Sequence, residues 1–221
     1  MKTVLVTGGT RRLGKAIAEG LEAAGWRVLT SSHRADAGAD LVADLSEPLG
    51  AARLYAACLR LLGGNPPDAL VNNAALFTGD EATLQAVNLD APRKLTILMA
   101  GRETGRGAVV NVLDSRVLDG DAEDGAPSGA GVYERTKRAL LADTLKHAAL
   151  FADTLRVNAV APGPVLAPTD VHEKAGATPL GRPRPEDVAK AVAFLLDASA
   201  TTGCVIPVDG GQSALQSGSA V

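Results

Sequence analysis

The sequence has few cysteines, few aromatic residues, little net charge and no long apolar run, and each scarcity narrows the class of protein. Its 221 residues include only two cysteines, Cys58 and Cys204. Both lie in apolar surroundings outside any CxxC motif, so we expect buried free thiols. The apolar runs end well before the length of a membrane-spanning helix, which argues against a membrane partner. A net charge of −3 gives no reason to expect a nucleic acid as a partner.

What the sequence does contain is a large apolar fraction, 46%, over a length suited to one domain. A chain of this length buries roughly 70% of the surface that it exposes when unfolded, so a substantial core can form. The composition excludes a disordered or fibrous protein. Met1 and Lys2 lead directly into an apolar strand pattern without the features of a signal or transit peptide, so we expect a cytoplasmic protein.

Short apolar runs alternate with longer segments of helical periodicity along the chain. Seven runs are candidate strands, namely KTVLVT, RVLTSS, DLVADL, DALVNN, AVVNVL, LRVNAVA and CVIPVD. They lack polar alternation, which is typical of strands that are covered on both faces. The alternation predicts an α/β fold, a single-domain Rossmann-type doubly wound parallel sheet of about seven strands flanked by helices, over residues 1–221.

Two segments do not fit this alternation. The acidic stretch 119–131, DGDAEDGAPSGAG, is rich in glycine, proline and serine and is predicted to be a loop. No histidine or cysteine joins its acids, so we predict a solvated loop and no metal, with a substrate-covering lid as the alternative. Residues 212–221 are small and polar and are expected to be a flexible tail or to dock on a partner subunit.

The turn after the first candidate strand, TGGTRRLG over residues 7–14, can hold a phosphate. Backbone N–H groups and the positive end of a helix dipole at such a turn suit a pyrophosphate. Gly8 permits a tight turn, and Gly14 lets the helix approach the strand closely. Arg12, however, takes the middle position, where such loops usually have glycine. On its own the motif favours nucleotide binding no more than a structural turn.

The segment YERTK places Tyr133 and Lys137 on one face of a predicted helix, at positions i and i+4. A nearby ammonium favours the phenolate and so lowers the pKa of a tyrosine towards the range useful for proton transfer. In isolation, an ordinary pair on a helix surface is the simpler interpretation of this spacing.

Taken together and in order, the motifs resemble those of the short-chain dehydrogenase/reductase family. The matching segments are TGGTRRLG, VNNAA at 71–75, VVNVLD at 109–114, YERTK, RVNAVAPGP at 156–164 and VDGG at 208–211. This resemblance covers almost the whole chain and implies a doubly wound sheet, a nicotinamide cofactor and hydride transfer. Family members usually form dimers or tetramers, so it also implies a homo-oligomer.

The resemblance assigns roles to individual residues. It implies that Tyr133 transfers the proton, and that Lys137 holds the ribose and lowers the pKa of that tyrosine. Asn88 matches the family's structural and proton-relay asparagine, although a helix-breaking polar residue is the alternative. The residues implied to bind the cofactor are Gly8, Thr10, Arg11, Arg12, Leu13, His33, Arg34, Asp44, Leu45, Asn73, Ala74, Ala75, Tyr133, Lys137, Pro162 and Gly163.

The end of the second candidate strand distinguishes NAD from NADP. A carboxylate there would bond the ribose 2′-hydroxyl of NAD and repel a 2′-phosphate. This chain has SSHR at 31–34 instead. Arg34 can make bidentate charge-assisted bonds to a phosphate, which favours NADP(H) over the alternative that Arg34 is merely a solvated loop residue.

Three departures from the common family pattern resemble the pteridine reductase branch, which includes bacterial dihydromonapterin and dihydrofolate reductases. They are Arg12, Asp114 where most members have serine, and the aromatic Phe77. The resemblance implies that Arg12 touches cofactor phosphate and substrate, that Phe77 stacks on a pterin ring, and that Asp114 works with Tyr133 in proton delivery. The alternatives are a degraded site for Asp114 and ordinary core packing for Phe77.

The leading hypothesis is therefore an NADPH-dependent reductase that transfers hydride to a C=N bond of a pteridine-like small molecule. A carbonyl or 3-oxoacyl reductase is the alternative within the same class of enzyme. A non-catalytic protein that senses NADP is the alternative of another class. Three departures in length border the substrate site: the segment from Asn73 to Asn88 is short, that from Asp114 to Tyr133 is long, and 165–183 is brief.

Overall fold

The computed structural model describes residues 1–103, 105–118, 131–165 and 178–217. Its strands are β1 (Thr3–Thr7), β2 (Arg27–Ser32), β3 (Leu41–Val42), β4 (Ala69–Asn72), β5 (Gly107–Val112), β6 (Leu155–Pro162) and β7 (Val205–Val208). Its α-helices are α1 (Arg12–Ala23), α2 (Gly50–Leu61), α3 (Glu81–Gln85), α4 (Ala91–Ala100), α5 (Val132–Leu150), α6 (Pro185–Asp197) and α7 (Gln212–Ser217). A π-helical turn, Ala86–Asp90, joins α3 to α4.

The seven strands form one parallel sheet in the order β3-β2-β1-β4-β5-β6-β7. Chain order reverses direction between β1 and β4, the position at which doubly wound sheets bind their ligands. The predicted fold class and all seven predicted strands are confirmed.

Both faces of the sheet are buried, as the apolar strands predicted. Val4 and Val6 of β1 face a core that includes Ile17 of α1 and Val192 of α6. Leu5 points the other way, into a core formed with α2 and α4. Because successive residues of a strand alternate between faces, an uninterrupted apolar run supplies both cores.

A buried polar chain fixes α5 against the centre of the sheet. The side-chain amide of Asn72 donates to Asn111 Oδ1 at 2.8 Å, and the Asn111 amide donates to Thr144 Oγ1 of α5 at 2.8 Å. These bonds connect β4, β5 and α5, because buried polar groups need partners. The bonds hold α5 at Thr144, in the second half of the helix, against the centre of the sheet.

Several sequence expectations concern the ends and loops of this fold. Most of the acidic segment 119–131 and much of the brief segment 165–183 lie outside the described residues. Helix α7 occupies the start of the segment expected to be a flexible tail, and its first turn is tied down because Asp209 accepts the N–H of Ser213 at 2.8 Å. None of the helices in the described ranges is long and apolar enough to cross a membrane.

Candidate active site

The turn between β1 and α1 has glycines where the backbone of the helix lies very close to the backbone of the strand. Gly8 has a φ of +63°, in the region that favours glycine. A Cβ on Gly14 would overlap the carbonyl oxygen of Gly8, so the helix can dock on the strand only without a side chain there. The N–H groups at the start of α1 face the carboxyl end of the sheet, where the helix dipole favours an anion.

Arg12 occupies a strained position of this turn. Its φ is +51°, and among the described residues it is the sole non-glycine residue with a positive φ. An arginine at this φ costs conformational energy that glycine would not, and such costs concentrate at functional sites. Its side chain and that of Arg11 are exposed, whereas Thr10 and Leu13 are partly buried.

The loop after β4 is fixed to the glycine turn by Thr7. Thr7 Oγ1 accepts the N–H groups of Asn73 and Ala74, each at 3.0 Å. The side-chain amide of Asn73 donates to the carbonyl of Thr7 at 2.9 Å. The predicted cofactor-lining segment Asn73–Ala75 therefore lies beside the turn, across the reversal of chain order.

At the end of β2, Arg34 is paired with a residue that the sequence analysis did not consider. Its Nε and Nη2 donate to the two carboxylate oxygens of Asp36, at 2.9 and 2.6 Å. His33 and Arg34 are both exposed. The guanidinium predicted to meet a 2′-phosphate thus has an intramolecular competitor in this structure.

Asp44 and Leu45 follow β3 and behave differently. Asp44 is exposed, and its Oδ1 accepts the N–H and the hydroxyl of Ser46 at 2.9 and 2.6 Å, which lowers the pKa of the carboxyl. Leu45 is buried in the core beneath it. The backbone after β3 is therefore held by the buried Leu45, and the Asp44 carboxylate lies at the surface.

On the other side of the reversal, Tyr133 and Asp114 meet. The Tyr133 hydroxyl donates to Asp114 Oδ2 at 3.2 Å. Asp114 follows β5, and Tyr133 lies in the first turn of α5, 19 residues later in the chain. The two residues that the resemblance paired are thus in direct contact.

Lys137 lies one turn further along α5 and is almost completely buried. Its Nζ donates to the carbonyl of Val112 at 2.7 Å and lies 5.9 Å from the centre of the Tyr133 ring. Burial lowers the pKa of Lys137 to about 8, and the nearby Asp114 carboxylate partly opposes that shift. The two side chains share a face of the helix, as the i, i+4 spacing indicated.

The expected lowering of the Tyr133 pKa is wrong for this structure. The pKa of Tyr133 is raised well above its usual range, because the phenol is buried and lies beside the negative charge of Asp114. Arg116 acts in the opposite direction but does not prevail. Tyr133 is therefore held as a protonated phenol, which is the form that donates a proton.

Phe77 lies directly on Tyr133. The two rings stack with their centroids 4.3 Å apart and an interplanar angle of 21°. The Phe77 side chain is 65% exposed, so ordinary core packing does not describe it. The ring of Phe77 therefore lies at the surface with one face against Tyr133.

Asn88 sits in the π-helical turn, a feature that is frequent at functional sites. Its side chain is fully buried, donates to the carbonyl of Leu76 at 2.8 Å and accepts the Leu76 N–H at 2.8 Å. A weaker bond at 3.3 Å reaches Thr136. Asn88 thus fixes the backbone immediately before Phe77, which supports its structural role.

The end of β6 closes this edge of the sheet. Pro162 is buried, and the N–H of Gly163 donates to the carbonyl of Val208 at 3.0 Å. A Cβ on Gly163 would lie 2.8 Å from Asp209, so this approach also requires glycine. The segment lies at the carboxyl ends of the strands, as do the other predicted cofactor residues.

Two site residues were missed from the sequence. Asp36 lies only two residues beyond Arg34, and its carboxylate could have been considered as a competitor. Arg116 lies two residues after Asp114 and forms an ion pair with it at 2.9 Å. Within the described residues, no group of three or more histidine, cysteine, aspartate or glutamate side chains could hold a metal ion.

A glycine turn at the reversal of a doubly wound sheet, next to a buried tyrosine–lysine pair, is the arrangement of a dinucleotide-dependent oxidoreductase. A family model described as enoyl-(acyl carrier protein) reductase matches residues 66–213. The chain belongs to the short-chain dehydrogenase/reductase family of oxidoreductases.

Several known proteins are similar over nearly the whole chain. Protein FixR of Bradyrhizobium diazoefficiens is 31% identical over 96% of this chain and 86% of its own length. The L-xylulose reductase of Bos taurus is 34% identical over 95% of this chain and 96% of its own length. The structure of FolM alternative dihydrofolate reductase 1 from Brucella canis, complexed with NADP, has a TM-score of 0.81 at 32% identity and covers 96% of this chain and 94% of that chain.

Proposed function

We propose that the protein is an NADPH-dependent reductase of a pteridine-like C=N bond, with a dihydropterin or dihydrofolate as substrate. The observation that carries the proposal is the bond of 3.2 Å from the Tyr133 hydroxyl to Asp114, beside the exposed ring of Phe77. A serine in place of Asp114 offers one neutral oxygen, whereas a carboxylate offers two charged oxygens to the amino and N–H groups of a pterin. The similarity to a dihydrofolate reductase complexed with NADP supports the proposal.

The residues at the sheet edge fit a dinucleotide. The start of α1 offers backbone N–H groups to a pyrophosphate, and the close approach at Gly14 leaves no side chain in the way. Arg34 offers a guanidinium for a 2′-phosphate once it exchanges its Asp36 partner. Bound NADPH would supply the hydride.

The chain's own residues would supply the proton and hold the substrate. Tyr133 is held protonated, so it can donate its hydroxyl proton to a ring nitrogen of the substrate. Asp114 would accept a hydrogen bond from the ring at Oδ2 as the Tyr133 hydroxyl turns from that oxygen to the substrate, and it would pass a proton from solvent to recharge Tyr133. Phe77 would have to separate from Tyr133 for a flat ring to use it as a platform, because the two rings are now in contact.

The proposal is tested by following NADPH oxidation with purified protein and dihydrobiopterin, dihydromonapterin or dihydrofolate. We expect oxidation above the substrate-free rate with at least one of them. The Tyr133→Phe variant should lose about 10²-fold or more in kcat while its NADPH affinity is retained. A rate with all three pterins equal to the substrate-free rate would contradict the pteridine assignment.

A carbonyl or 3-oxoacyl reductase is the second candidate, favoured by the similarity to L-xylulose reductase. The Asp114→Ser variant distinguishes the two functions. A pterin reductase should lose most of its activity, because the single neutral oxygen of serine accepts N–H groups more weakly than the two oxygens of a carboxylate do. A carbonyl reductase should retain or gain activity, since serine is the residue that most family members have there.

We also propose that the protein forms a homo-oligomer. Helices α4 and α5 expose Ile97, Leu145 and Leu150, which are 43%, 49% and 64% accessible. Exposed apolar side chains on adjacent helices are typical of a surface that a second subunit covers.

A further inference from the structure

Arg116 donates hydrogen bonds to both oxygens of the Asp114 carboxylate. Its backbone N–H and its Nε each donate to Oδ1 at 3.0 Å, and its Nη2 donates to Oδ2 at 2.9 Å. Oδ2 is the oxygen that also accepts the Tyr133 hydroxyl. One residue thus bonds both oxygens of the carboxylate and leaves it little freedom to rotate.

The same guanidinium lies near the aromatic ring of the proton donor. Its central carbon is 5.5 Å from the centre of the Tyr133 ring, within the range of cation–π attraction. Asp114 and Tyr133 are therefore both in contact with Arg116. Removal of this residue would affect the orientation of the pair and its charge together.

Arg116 is itself held in place by α5. It lies in a 3₁₀ turn, Ser115–Leu118, and its carbonyl accepts Nη2 of Arg138 at 3.1 Å. Arg138 is paired with Glu134 at 2.9 Å, and these two side chains are only 15% and 23% exposed. A sheltered ion pair thus ties the turn to the helix that carries Tyr133, and sheltered pairs are more rigid than solvated ones.

We propose that Arg116 is a positioning residue, which fixes Asp114 so that Oδ2 faces the Tyr133 hydroxyl. The inference rests on the proposed function, because it assigns Arg116 to the pair that would deliver the proton. Its basis is geometric. A carboxylate bonded at both oxygens cannot turn away from the phenol when substrate enters.

A double-mutant cycle tests this role. We expect Arg116→Gln to lower kcat about tenfold, with the KM for NADPH unchanged. The variant Asp114→Asn should lose at least as much, and the double variant should lose no more than Asp114→Asn alone, because Arg116 acts through Asp114. Losses that multiply, or an Arg116→Gln activity within twofold of the wild type, would overturn the proposal.

Two further arms separate positioning from general damage to the fold. Arg135→Gln is a matched control, because the Arg135 side chain is 47% exposed against 45% for Arg116 and also pairs with a carboxylate, that of Glu81. It should leave kcat unchanged. Arg116→Lys keeps the positive charge but cannot bond both carboxylate oxygens in the bidentate geometry, so its kcat should stay close to that of Arg116→Gln while the melting temperatures of both variants match the wild type. Full recovery of kcat by Arg116→Lys, or a loss of kcat that follows a lowered melting temperature, would contradict the proposal.

The substrates that the wild-type protein reduces distinguish a failure of this inference from a failure of the proposed function. If the wild type reduces carbonyl compounds but no dihydropterin, the proposed function fails, and the cycle is then measured on the best carbonyl substrate. Either reduction takes a proton from Tyr133, so Arg116→Gln should still lower kcat when Asp114 is present and have no effect in the Asp114→Asn background, whatever the effect of Asp114→Asn itself. Independent losses on that substrate would overturn the positioning role as well.

Discussion

At the scale of single residues, the charge state of the site depends on burial more than on spacing. The i, i+4 pair of Tyr133 and Lys137 suggests from the sequence that the tyrosine has a lowered pKa. In the structure the phenol of Tyr133 is itself buried and touches Asp114, so its pKa is raised instead, while burial lowers the pKa of Lys137. Neither burial nor the contact with Asp114 is visible in the YERTK motif, which explains the wrong direction.

The buried lysine should be measurable as a dependence of stability on pH. Its pKa falls from 10.5 to about 8 on folding, so between these values the unfolded chain binds more protons and stability rises with pH. The free energy of unfolding of the wild type, minus that of Lys137→Met, should increase by about 3 kcal/mol from pH 8 to pH 10.5. Urea unfolding at a series of pH values measures this difference, in which other titrating groups such as Cys58 cancel. A difference independent of pH would contradict the buried, shifted lysine.

The ion pair between Arg34 and Asp36 should limit affinity for NADPH. Asp36→Asn removes the carboxylate that competes with a 2′-phosphate, so the Kd for NADPH should fall several-fold while that for NADH changes little. Arg34→Gln should raise the Kd for NADPH about tenfold, since a charge-assisted bond is lost. Fluorescence titration of both cofactors measures these constants. Weaker NADPH binding by Asp36→Asn would show that the pair supports the phosphate site.

At the scale of elements, the regular parts of the fold follow directly from sequence patterns. Each of the seven apolar runs forms a strand, and α6 begins at Pro185, a residue type that suits the first position of a helix. The π-helical turn at Ala86–Asp90 could not be predicted, because its sequence, AVNLD, has ordinary helical character. In this turn the Asn88 side chain bonds both the N–H and the carbonyl of Leu76, twelve residues earlier, and the local sequence does not reveal that contact.

The packing of α1 against β1 should be weakened even by a single added methyl group at Gly14. A Cβ in Gly14→Ala would overlap the Gly8 carbonyl, so the helix must shift, at a cost of about 1–3 kcal/mol. We expect a lower melting temperature and a loss of NADPH affinity. Gly101→Ala is the matched control, because its Cβ would come no closer than 3.5 Å to the Leu98 carbonyl oxygen. Equal effects of the two substitutions would contradict the close approach.

At the scale of the whole molecule, the sheet order brings distant motifs to one edge. Residues from the turn after β1, the loop after β4, the end of β5 and the start of α5 meet where chain order reverses. Parallel strands place all their carboxyl ends on the same side of the sheet, so the sequence alone predicts that the motifs after these strands lie together. The contacts of Asp36 and Arg116 could not be predicted in this way, because side-chain pairing within a loop leaves no periodic pattern in the sequence.

Subunit association is a further property of the whole molecule. If the exposed apolar side chains of α4 and α5 form an interface, Leu145→Glu combined with Leu150→Glu should shift the protein towards the monomer. Light scattering after size-exclusion chromatography measures the mass. A wild type that is already monomeric at micromolar concentration would contradict the proposed homo-oligomer.

The central claim is that the Asp114–Tyr133 pair and the Phe77 ring form one binding site for a pterin. A crystal structure with NADP and a pterin analogue tests it most directly. The account predicts that the pterin ring lies against Phe77, which has separated from Tyr133, and within hydrogen-bond distance of Asp114 and the Tyr133 hydroxyl. A structure in which Phe77 remains stacked on Tyr133 and the analogue binds elsewhere, or does not bind, would contradict it.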